Sequence, residues 1–596
     1  MPSYKAPVRD MQFLLHEVLG FEDLTKFDAF AEVDKDLTDA ILTEAAKFSE
    51  DVLAPLNVVG DHEGCTRHED GSVTTPTGFK DAYKQMTENG WTALSMDPEY
   101  GGQGMPGMLQ IAASEMWTSA NMAFAMYPGL TGGAIKAIQV GGSPEQKQTY
   151  LPKMMSGEWT GTMNLTEPHC GTDLGMLKTK AVPQADGSYK ISGQKIFISA
   201  GEHDMADNII HLVLARIEGA PAGTKGISLF IVPKHTLNAD GTPGERNAVS
   251  CGSIEEKMGI HGNSTCVMNY DEATGYLIGE ENKGLRVMFV MMNEARIGVG
   301  LQGLGQSEVA YQNAAIYAKD RIQGRALDGP KAEDKPADPI IVHPDVRRML
   351  METKAFNESG RALLYWAAKH EDLEKHTDDE KLAEKCDDYL GLLTPVIKGY
   401  LTDMSMKTTI DCQQIFGGHG FVEEWGMSQF VRDNRIALIY EGANGIQALD
   451  LVGRKLARNG GRALMTLNAE IDQFLSDNKD SEALPEFMDG LAGAKNKLTQ
   501  ATMWLMQNGM KDPNNAGAGS VDYMHMMGLA TLAYMWAKMA VVAQAKIDSG
   551  SNEDFYPNKI ITGRYFMLRM LPMMDAHLAK IMTGAEPVMA LEAAAF

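Results

Sequence analysis

The 596-residue chain contains only six cysteines, no long uninterrupted apolar run and fewer basic than acidic side chains. The cysteines include no C-x-x-C pair, a pattern that excludes a disulfide framework and favours reduced thiols. Because no apolar run approaches the ~18 residues of a bilayer span, we expect no transmembrane helix. The N-terminal residues show neither an apolar signal core nor an Arg-rich presequence, so a cytoplasmic location is expected.

The charge balance argues against nucleic acid as a partner. With 54 basic and 79 acidic side chains the formal net charge is −25, which repels a phosphate backbone. The sequence also lacks a Gly-Lys dipeptide, so a P-loop for NTP hydrolysis is not expected. An anionic substrate would therefore need a local basic patch.

Two short motifs have the spacing of a binding site but not its context. Residues 102–107 satisfy G-x-G-x-x-G, yet residues 97–100 are not an apolar strand, which favours a surface turn over a dinucleotide site. His62, Cys65 and His68 are spaced like zinc ligands but lack a fourth soft ligand. We therefore expect a hydrated loop there and no metal site.

The hydrophobic periodicity divides the chain into four parts. Residues 1–158 have a helical pattern, 159–282 are rich in β-branched and aromatic runs, and 283–458 are helical again. Residues 459–596 follow an Asn-Gly-Gly step and form a further helical part. These patterns predict an α+β multidomain protein: an N-terminal helical domain, a small β domain, a helical bundle and an appended C-terminal helical domain.

Individual elements can be predicted within these parts. Apolar residues at helix spacing over 37–45 predict a helix, and the stretch from Leu53 through Pro55 predicts its break. Four β-branched or aromatic runs predict strands, at residues 189–191, 196–198, 209–215 and 227–232.

Two features of the helical parts need an interpretation. Residues 327–344 hold four prolines among Asp, Lys and Gly, which predicts a long exposed loop between helices. In the last part, an apolar helix face predicts core packing rather than a methionine-lined partner groove; its residues are Leu532, Met535, Trp536 and Met539.

Four segments carry the chemistry. They read NLTEPHCGTD at 164–173, KIFIS at 195–199, QIFGGHG at 414–420 and YEGANGIQ at 440–447. In this order, and within helical, β and helical parts in succession, the four segments resemble the acyl-CoA dehydrogenase family over residues 30–455. The length, the HPDVR stretch at 343–347 and the extra C-terminal part are similar to a longer bacterial branch that includes dehydrogenases of 3-(methylthio)propanoyl-CoA.

The resemblance implies a fold, a reaction and partners. The β domain should be barrel-like, and the reaction should be FAD-dependent α,β-dehydrogenation of an acyl-CoA thioester to the 2,3-enoyl-CoA. The acyl chain should be short or thioether-bearing, and an electron-transfer flavoprotein should accept the electrons. The rival interpretations are an acyl-CoA oxidase that uses O2, or a non-catalytic assembly or DNA-associated relative.

The first two segments have the groups that a flavin ring needs. The loop of Thr166, Gly171 and Thr172 offers a hydroxyl and backbone N–H groups, and Phe197 offers a flat apolar face. Taken alone, the segment is better explained as an ordinary strand-linking turn. The resemblance implies FAD contacts from Met163, Leu165, Thr166, Gly171, Thr172, Phe197 and Ser199. Most relatives have Trp where this chain has Phe197, so ring stacking is retained and an indole donor is lost.

Further flavin contacts are implied downstream. A family segment matching Gln414, Gly417 and Gly418 meets the adenine and pyrophosphate end of FAD in a neighbouring subunit, which implies a homo-oligomer, at least a dimer. Arg321 matches an arginine that contacts the same diphosphate; by itself it would be a solvated helix charge. Ala443 and Gly445 complete the implied flavin contacts, with Ala443 where relatives commonly have Thr.

Glu441 is the predicted catalytic base. A thioester α-proton is weakly acidic, so its removal needs a carboxylate in a dry pocket and stabilisation of the enolate-like charge. The resemblance implies that Glu441 takes this proton and that its backbone N–H approaches the thioester oxygen. The alternative is an exposed acid near a helix N-terminus, stabilised by the helix dipole.

The substrate-binding residues implied by the resemblance are Thr172, Asn293, Arg296 and Gly442. Arg296 is equally compatible with a structural charge beside Glu294. Met288, Met291 and Met292 either line the acyl pocket or belong to the core, so the sequence does not fix the acyl chain.

Overall fold

The computed structural model describes residues 2–479 and 484–596. By their internal contacts the residues divide into two compact units. Unit 1 comprises Met1–Ala46, Pro106–Glu115 and Val299–Phe596, and unit 2 comprises Lys47–Met105 and Met116–Gly298.

Helices dominate both ends of the chain. The α-helices are α1 Val8–Gln12, α2 Lys35–Phe48, α3 Ala54–Glu63, α4 Phe79–Glu88, α5 Gly107–Ala120, α6 Met122–Gly141, α7 Pro144–Met155, α8 Gly284–Asp320, α9 Pro344–His376, α10 Glu380–Ile415, α11 Met427–Asn434, α12 Asn444–Asp450, α13 Arg462–Asp477, α14 Pro485–Gly509, α15 Pro513–Asp548, α16 Phe555–Tyr565, α17 Met573–Thr583 and α18 Glu586–Met589.

The strands lie in unit 2 and are β1 Thr66–Arg67, β2 Val73–Thr74, β3 Trp159–Asn164, β4 Lys180–Pro183, β5 Tyr189–Ser199, β6 Asn208–Ile217, β7 Ser228–Pro233, β8 His235–Leu237, β9 Pro243–Arg246, β10 Val249–Ile254 and β11 Thr265–Ile278. The predicted order of helical, β and helical parts is confirmed, and the two predicted runs at 189–191 and 196–198 belong to one strand, β5.

Five strands of unit 2 close into a barrel. β11 pairs with β5, β5 with β4, β4 with β6, β6 with β7, and β7 returns to β11. The β4–β6 pair is parallel, whereas the other four pairs are antiparallel. Closure leaves none of these five strands as an open edge. The predicted barrel-like β domain is therefore confirmed.

Both faces of β6 and β7 are buried, which explains their uninterrupted apolar sequences. Val213 and Phe230 belong to one core cluster with other barrel residues. Their neighbours Leu212, Leu214 and Ile231 point the other way, into a second cluster formed with helices α6 and α7. Side chains alternate between the faces of a strand, so a strand covered on both sides needs apolar residues at every position.

The predicted helix break at Pro55 is wrong. A π-helical turn at Ser49–Leu53 follows α2 directly, and α3 begins at the next residue with Pro55 in its first turn. Proline is tolerated in a first helical turn, where its missing N–H costs no intrahelical hydrogen bond.

The loop predicted at residues 327–344 is irregular but organised around one buried carboxylate. Asp338 is fully buried, and its oxygens accept hydrogen bonds from the backbone N–H groups of Ala326, Lys331 and Ala332. Burial opposes its charge, but these donors and Arg325 hold the pKa of Asp338 well below its usual value. The loop therefore has a fixed centre, although half of its residues are exposed.

The apolar helix α15 forms the core of the C-terminal part of unit 1. It contains an 18-residue window apolar enough for a membrane span, and 83% of that window is buried inside the protein. The predicted inward face is confirmed, since Leu532, Met535, Trp536 and Met539 are all at most 1% exposed. No uninterrupted apolar run marks this helix in the sequence, because residues such as Gly528, Thr531 and Lys538 break it into short runs.

A buried charge cluster joins distant segments of unit 1. Arg361 on α9, which is 1% exposed, donates to Glu115 at 2.7 Å and to Glu308 at 3.1 Å, and it also pairs with Asp10. Lys559 on α16 pairs with the same Asp10. Buried charges are tolerated only when each is paired in this way.

We predict that Arg361→Ala lowers the free energy of unfolding by about 3–5 kcal/mol, because it leaves buried carboxylates without their partner. The matched control is Arg458→Ala, which breaks the half-exposed pair with Asp387 and should cost less than about 1 kcal/mol. Urea denaturation followed by circular dichroism compares the two variants. Equal midpoints would contradict the assignment of Arg361 as a structural centre.

Candidate active site

The segment after β3 is held by a buried ion pair. Lys195 Nζ lies 2.9 Å from Glu167 Oε1 and donates a second hydrogen bond to the Leu165 carbonyl at 3.0 Å. The Lys195 and Glu167 side chains are 0% and 3% exposed. Glu167 also accepts hydrogen bonds from the backbone N–H groups of Lys178 and Thr179. The pair therefore ties the 164–173 segment to β5.

The donors around Glu167 keep it ionised in spite of burial. Burial raises the pKa of Glu167, but Lys195, the Thr179 hydroxyl and the Lys178 N–H together hold it below its usual value. Glu167, His169 and Cys170 bring their ligand atoms within 4.8 Å of one another. Because the Glu167 oxygens are already engaged by these donors, we interpret the group as the anchor of the loop.

Phe197 has the backbone and exposure of a ligand-binding residue. Its φ is 60°, and its side chain is 60% exposed although it lies in a strand. In the register with β11, Ile196 and Phe197 together lie opposite Val267 alone, which is a β-bulge. A left-handed backbone costs a bulky residue roughly 1–2 kcal/mol. The bulge leaves an aromatic face open to a flat ligand.

The other predicted flavin residues of unit 2 surround this strand. The Thr166 carbonyl accepts a hydrogen bond from Ile196 N at 2.9 Å, which brings Thr166 beside the residue before Phe197. Met163 and Leu165 are half-buried and pack against the core shared with α6 and α7. Thr166 and Ser199 are also half-buried, whereas Gly171 and Thr172 are exposed.

Two predicted substrate residues of unit 2, Asn293 and Arg296, lie on α8. Arg296 is buried at 7% exposure, and its Nη1 is 3.5 Å from Asn293 Oδ1. Glu294 forms an ion pair with Lys136 at 3.0 Å. The open question about the methionines is answered for two of them, since Met288 and Met291 belong to the core and are at most 1% exposed.

In unit 1, the 414–418 segment is tied to the end of α8. The Phe416 ring stacks on Tyr317 with centroids 4.1 Å apart, and Tyr317 Oη lies 2.9 Å from His419 Nδ1. Tyr317 precedes the exposed Arg321 by about one helical turn. The contact therefore brings the Arg321 segment close to the glycine segment.

The two glycines of this segment leave open space. Gly417 has φ 58°, and no atom lies within 4 Å of a Cβ built at either Gly417 or Gly418. Both glycines and Gln414 are exposed. A phosphate or another backbone can approach such a position closely.

Glu441 lies in a short loop between the 3-10 turn Arg435–Leu438 and α12. Its φ is 55°, and that of Gly442 is 87°, so two consecutive residues are left-handed. Gln447 Nε2 donates to the Glu441 carbonyl at 3.1 Å and approaches the Gly442 carbonyl at 3.3 Å. Glu441, Gly442 and Ala443 are half-buried, whereas Gly445 is exposed.

Tyr440 fixes the other side of the loop. Its hydroxyl donates to Gln302 on α8, which is 138 residues away in the sequence. Burial, followed by the negative charge of Glu441, raises the pKa of Tyr440. The phenol therefore stays neutral as a donor. Sequence reasoning missed Gln302 and Gln447, because nothing in the local pattern marks a partner so distant or an ordinary helical glutamine.

The chain thus has helical, β and helical parts in that order, with an exposed aromatic ring on the barrel and a half-buried acid in the second helical part. Residues 36–158, 162–273 and 282–456 match the N-terminal, middle and C-terminal domains of acyl-CoA dehydrogenases, and 467–592 match an acetyl-CoA dehydrogenase C-terminal-like domain.

Proteins that are similar over nearly the whole chain indicate the same family. The chain is 43% identical to 3-methylmercaptopropionyl-CoA dehydrogenase of Ruegeria pomeroyi, over 97% of this chain and 98% of that protein. It is 35% identical, over 100% of both chains, to a broad-specificity linear acyl-CoA dehydrogenase of Mycobacterium tuberculosis. The solved acyl-CoA dehydrogenase of Bacillus anthracis, complexed with FAD, has a TM-score of 0.75 at 22% identity, over 97% of this chain and 92% of that one.

The chain belongs to the acyl-CoA dehydrogenase family, so the resemblance found in the sequence is confirmed. It is an oxidoreductase that acts on the CH–CH group of its substrate, and FAD is its cofactor. The residues fit the cofactor, since the exposed Phe197 ring suits a flat flavin and the open glycine segment suits a diphosphate.

We predict that Phe197→Ala weakens FAD binding about fivefold, the equivalent of about 1 kcal/mol for one lost aromatic contact. Phe197→Trp should bind FAD as tightly as the parent, because stacking is retained. Val182→Ala, at an exposed apolar position of the same barrel, is the control and should change nothing. Flavin titration of the FAD-free protein measures the three dissociation constants, and unchanged binding in Phe197→Ala would exclude ring stacking.

Proposed function

We propose that the protein converts an acyl-CoA thioester to the 2,3-enoyl-CoA with Glu441 as the base. The observation that carries the proposal is the placement of Glu441, a half-buried acid fixed in a left-handed loop by Gln447 and flanked by the anchored Tyr440. Limited access of water suits a base that must act on a weakly acidic carbon. Because the loop holds Glu441 in one position, less entropy is lost when its carboxylate is oriented for the reaction.

The proposed reaction takes place at two neighbouring carbons of the acyl chain, Cα and Cβ. Glu441 takes the proton from Cα, a hydride leaves Cβ, and the electron pair left at Cα forms the double bond. FAD, when bound, accepts the hydride. The backbone N–H of Glu441 is proposed to donate to the thioester oxygen, which stabilises the negative charge that develops there.

Residues from four segments are proposed to hold FAD. Thr166, Phe197 and Ser199 contact the flavin ring, with Met163, Leu165, Gly171 and Thr172 around them. Arg321 binds the diphosphate through its guanidinium, and Ala443 and Gly445 complete the site. The support is the bulge that exposes Phe197 and the hydrogen bond that brings Thr166 beside it.

We further propose a homodimer in which Gln414, Gly417 and Gly418 bind the adenine and pyrophosphate end of FAD in the neighbouring subunit. The open space at the two glycines supports this role. Phe421, three residues later, is 87% exposed, so an apolar side chain beside the glycines is also accessible to a neighbouring subunit.

For the substrate, we propose a short or thioether-bearing acyl-CoA such as 3-(methylthio)propanoyl-CoA, within dimethylsulfoniopropionate catabolism in the cytoplasm. Support comes from the 43% identity to the Ruegeria pomeroyi enzyme, whereas the Mycobacterium tuberculosis relative represents the linear alternative. The proposed contacts are Thr172, Asn293, Arg296 and Gly442. Arg296 is a buried cation and suits an anionic ester.

Electron-transfer flavoprotein is the proposed acceptor, as membership of the family implies. Its rival is O2, which would make the protein an acyl-CoA oxidase. A non-catalytic or DNA-associated role is disfavoured by the net charge of −25 and by the retained acid at Glu441.

We predict that Glu441→Gln keeps its FAD but loses about 10²–10⁴ of its activity, because the amide has no basic oxygen for the proton. Glu424→Gln, an exposed acid of the same unit, is the matched control and should retain full turnover. Stopped-flow reduction of the flavin by acyl-CoA gives the rate for each variant. Unchanged reduction in Glu441→Gln would overturn the assignment of the base.

We also predict that 3-(methylthio)propanoyl-CoA bleaches the flavin under anaerobic conditions faster than butyryl-CoA or a longer linear ester. Admission of air should restore the yellow colour slowly, because a dehydrogenase protects its reduced flavin from O2. Absorbance at the flavin maximum follows both steps. Preference for a long linear ester would contradict the substrate proposal, and rapid recovery in air would identify an oxidase.

A further inference from the structure

Asn444 opens α12 three residues after Glu441, and its side chain is fully engaged. Its Oδ1 accepts a hydrogen bond from Lys398 Nζ at 2.8 Å, and its Nδ2 donates to Asp403 Oδ1 at 2.7 Å. It is 8% exposed. The first turn of α12 is therefore fixed against α10.

The second oxygen of Asp403 leads into the C-terminal part of unit 1. His525 Nε2 on α15 lies 2.8 Å from Asp403 Oδ2. A carboxylate only accepts hydrogen bonds, so His525 must donate its Nε2 proton. Asn444 and His525 thus hold opposite oxygens of one carboxylate.

Close helix packing fixes His525. The Tyr400 ring on α10 lies 5.3 Å from the His525 ring, edge to face. A Cβ at Gly528, almost one turn beyond His525, would collide with the same Tyr400 ring, and a Cβ at Gly399 would collide with Met524. The glycines let the two helices approach so closely that His525 reaches Asp403.

The same short helix holds the loop of Glu441. Gln447, one turn after Asn444, donates to the carbonyl of Glu441. A left-handed glutamate is an unfavourable backbone conformation, which persists only where its surroundings determine it. The position of α12 therefore decides the position of the acid.

We infer that His525, acting through Asp403 and Asn444, is a positioning residue for the loop that carries Glu441. The C-terminal helical part thereby belongs to the catalytic apparatus instead of being an independent appendage. The inference rests on the proposed role of Glu441 as the base. At metal sites, loss of a residue that orients a ligand commonly costs about 10–100-fold in affinity or activity, and we expect an effect at the lower end of that range here.

The experiment compares three variants of the full-length, FAD-loaded enzyme. His525→Ala removes the donor to Asp403, whereas His525→Gln offers an amide N–H in a similar place. Asp522→Asn is the matched control, because Asp522 lies on the same helix, is as exposed as His525 and pairs with His577 instead of Asp403. The rate of flavin reduction is measured against the concentration of 3-(methylthio)propanoyl-CoA.

We expect His525→Ala to lower the maximal reduction rate about tenfold, with FAD content and the half-saturating substrate concentration unchanged. His525→Gln should recover to within about threefold of the parent, and Asp522→Asn should equal the parent. A purely structural role would instead lower the FAD content of both His525 variants together with their rates, and that outcome would contradict the inference.

The inference is overturned if His525→Ala reduces its flavin at the parental rate, or if His525→Gln is as slow as His525→Ala. Failure of the proposed function is recognised separately, since Glu441→Gln would then keep its activity whatever the result at His525.

Discussion

The left-handed backbone at Glu441 is the constraint on which the proposed chemistry depends. A glutamate with φ 55° is disfavoured by roughly 1–2 kcal/mol, so the surrounding structure must hold it there. Gln447 holds the carbonyl side, and the hydroxyl of Tyr440, bound to Gln302, holds the preceding residue. Phe197 repeats the pattern in unit 2, where a bulge and the neighbouring ion pair of Lys195 hold another left-handed residue.

Buried or half-buried polar groups hold distant segments of each unit together. The carboxylate of Glu167, the cluster around Arg361 and the carboxylate of Asp403 each join segments that are far apart in the sequence. A buried charge without partners would be costly, so every such group selects one arrangement of its neighbours. The interior polar contacts therefore make one arrangement of the segments specific. The apolar clusters of the barrel and of α15 contain the buried hydrophobic side chains that stabilise it.

Periodicity predicted the fold class correctly because the barrel strands and the long helices have strong patterns. The runs at 209–215 and 227–232 form β6 and β7, and the helix face that contains Leu532 is the buried face of α15. The sequence-based predictions of individual elements were wrong at two places. Pro55 did not end the helix, since it falls in a first turn after a π-helical turn. β5 is one strand because its pairing with β11 continues through Gly193, Gln194 and Lys195, between the two predicted runs.

The sequence by itself determined the chemistry of the chain: the types and order of the four segments, the helical and β periods, and hence the family. Only the tertiary structure decided which side chains are held rigidly, because the contacts that do so join residues 138 positions apart for Tyr440 and Gln302, and 122 apart for Asp403 and His525. Periodicity reports the face on which a side chain lies. It carries no information about a hydrogen-bond partner from another helix, which depends on how the elements pack.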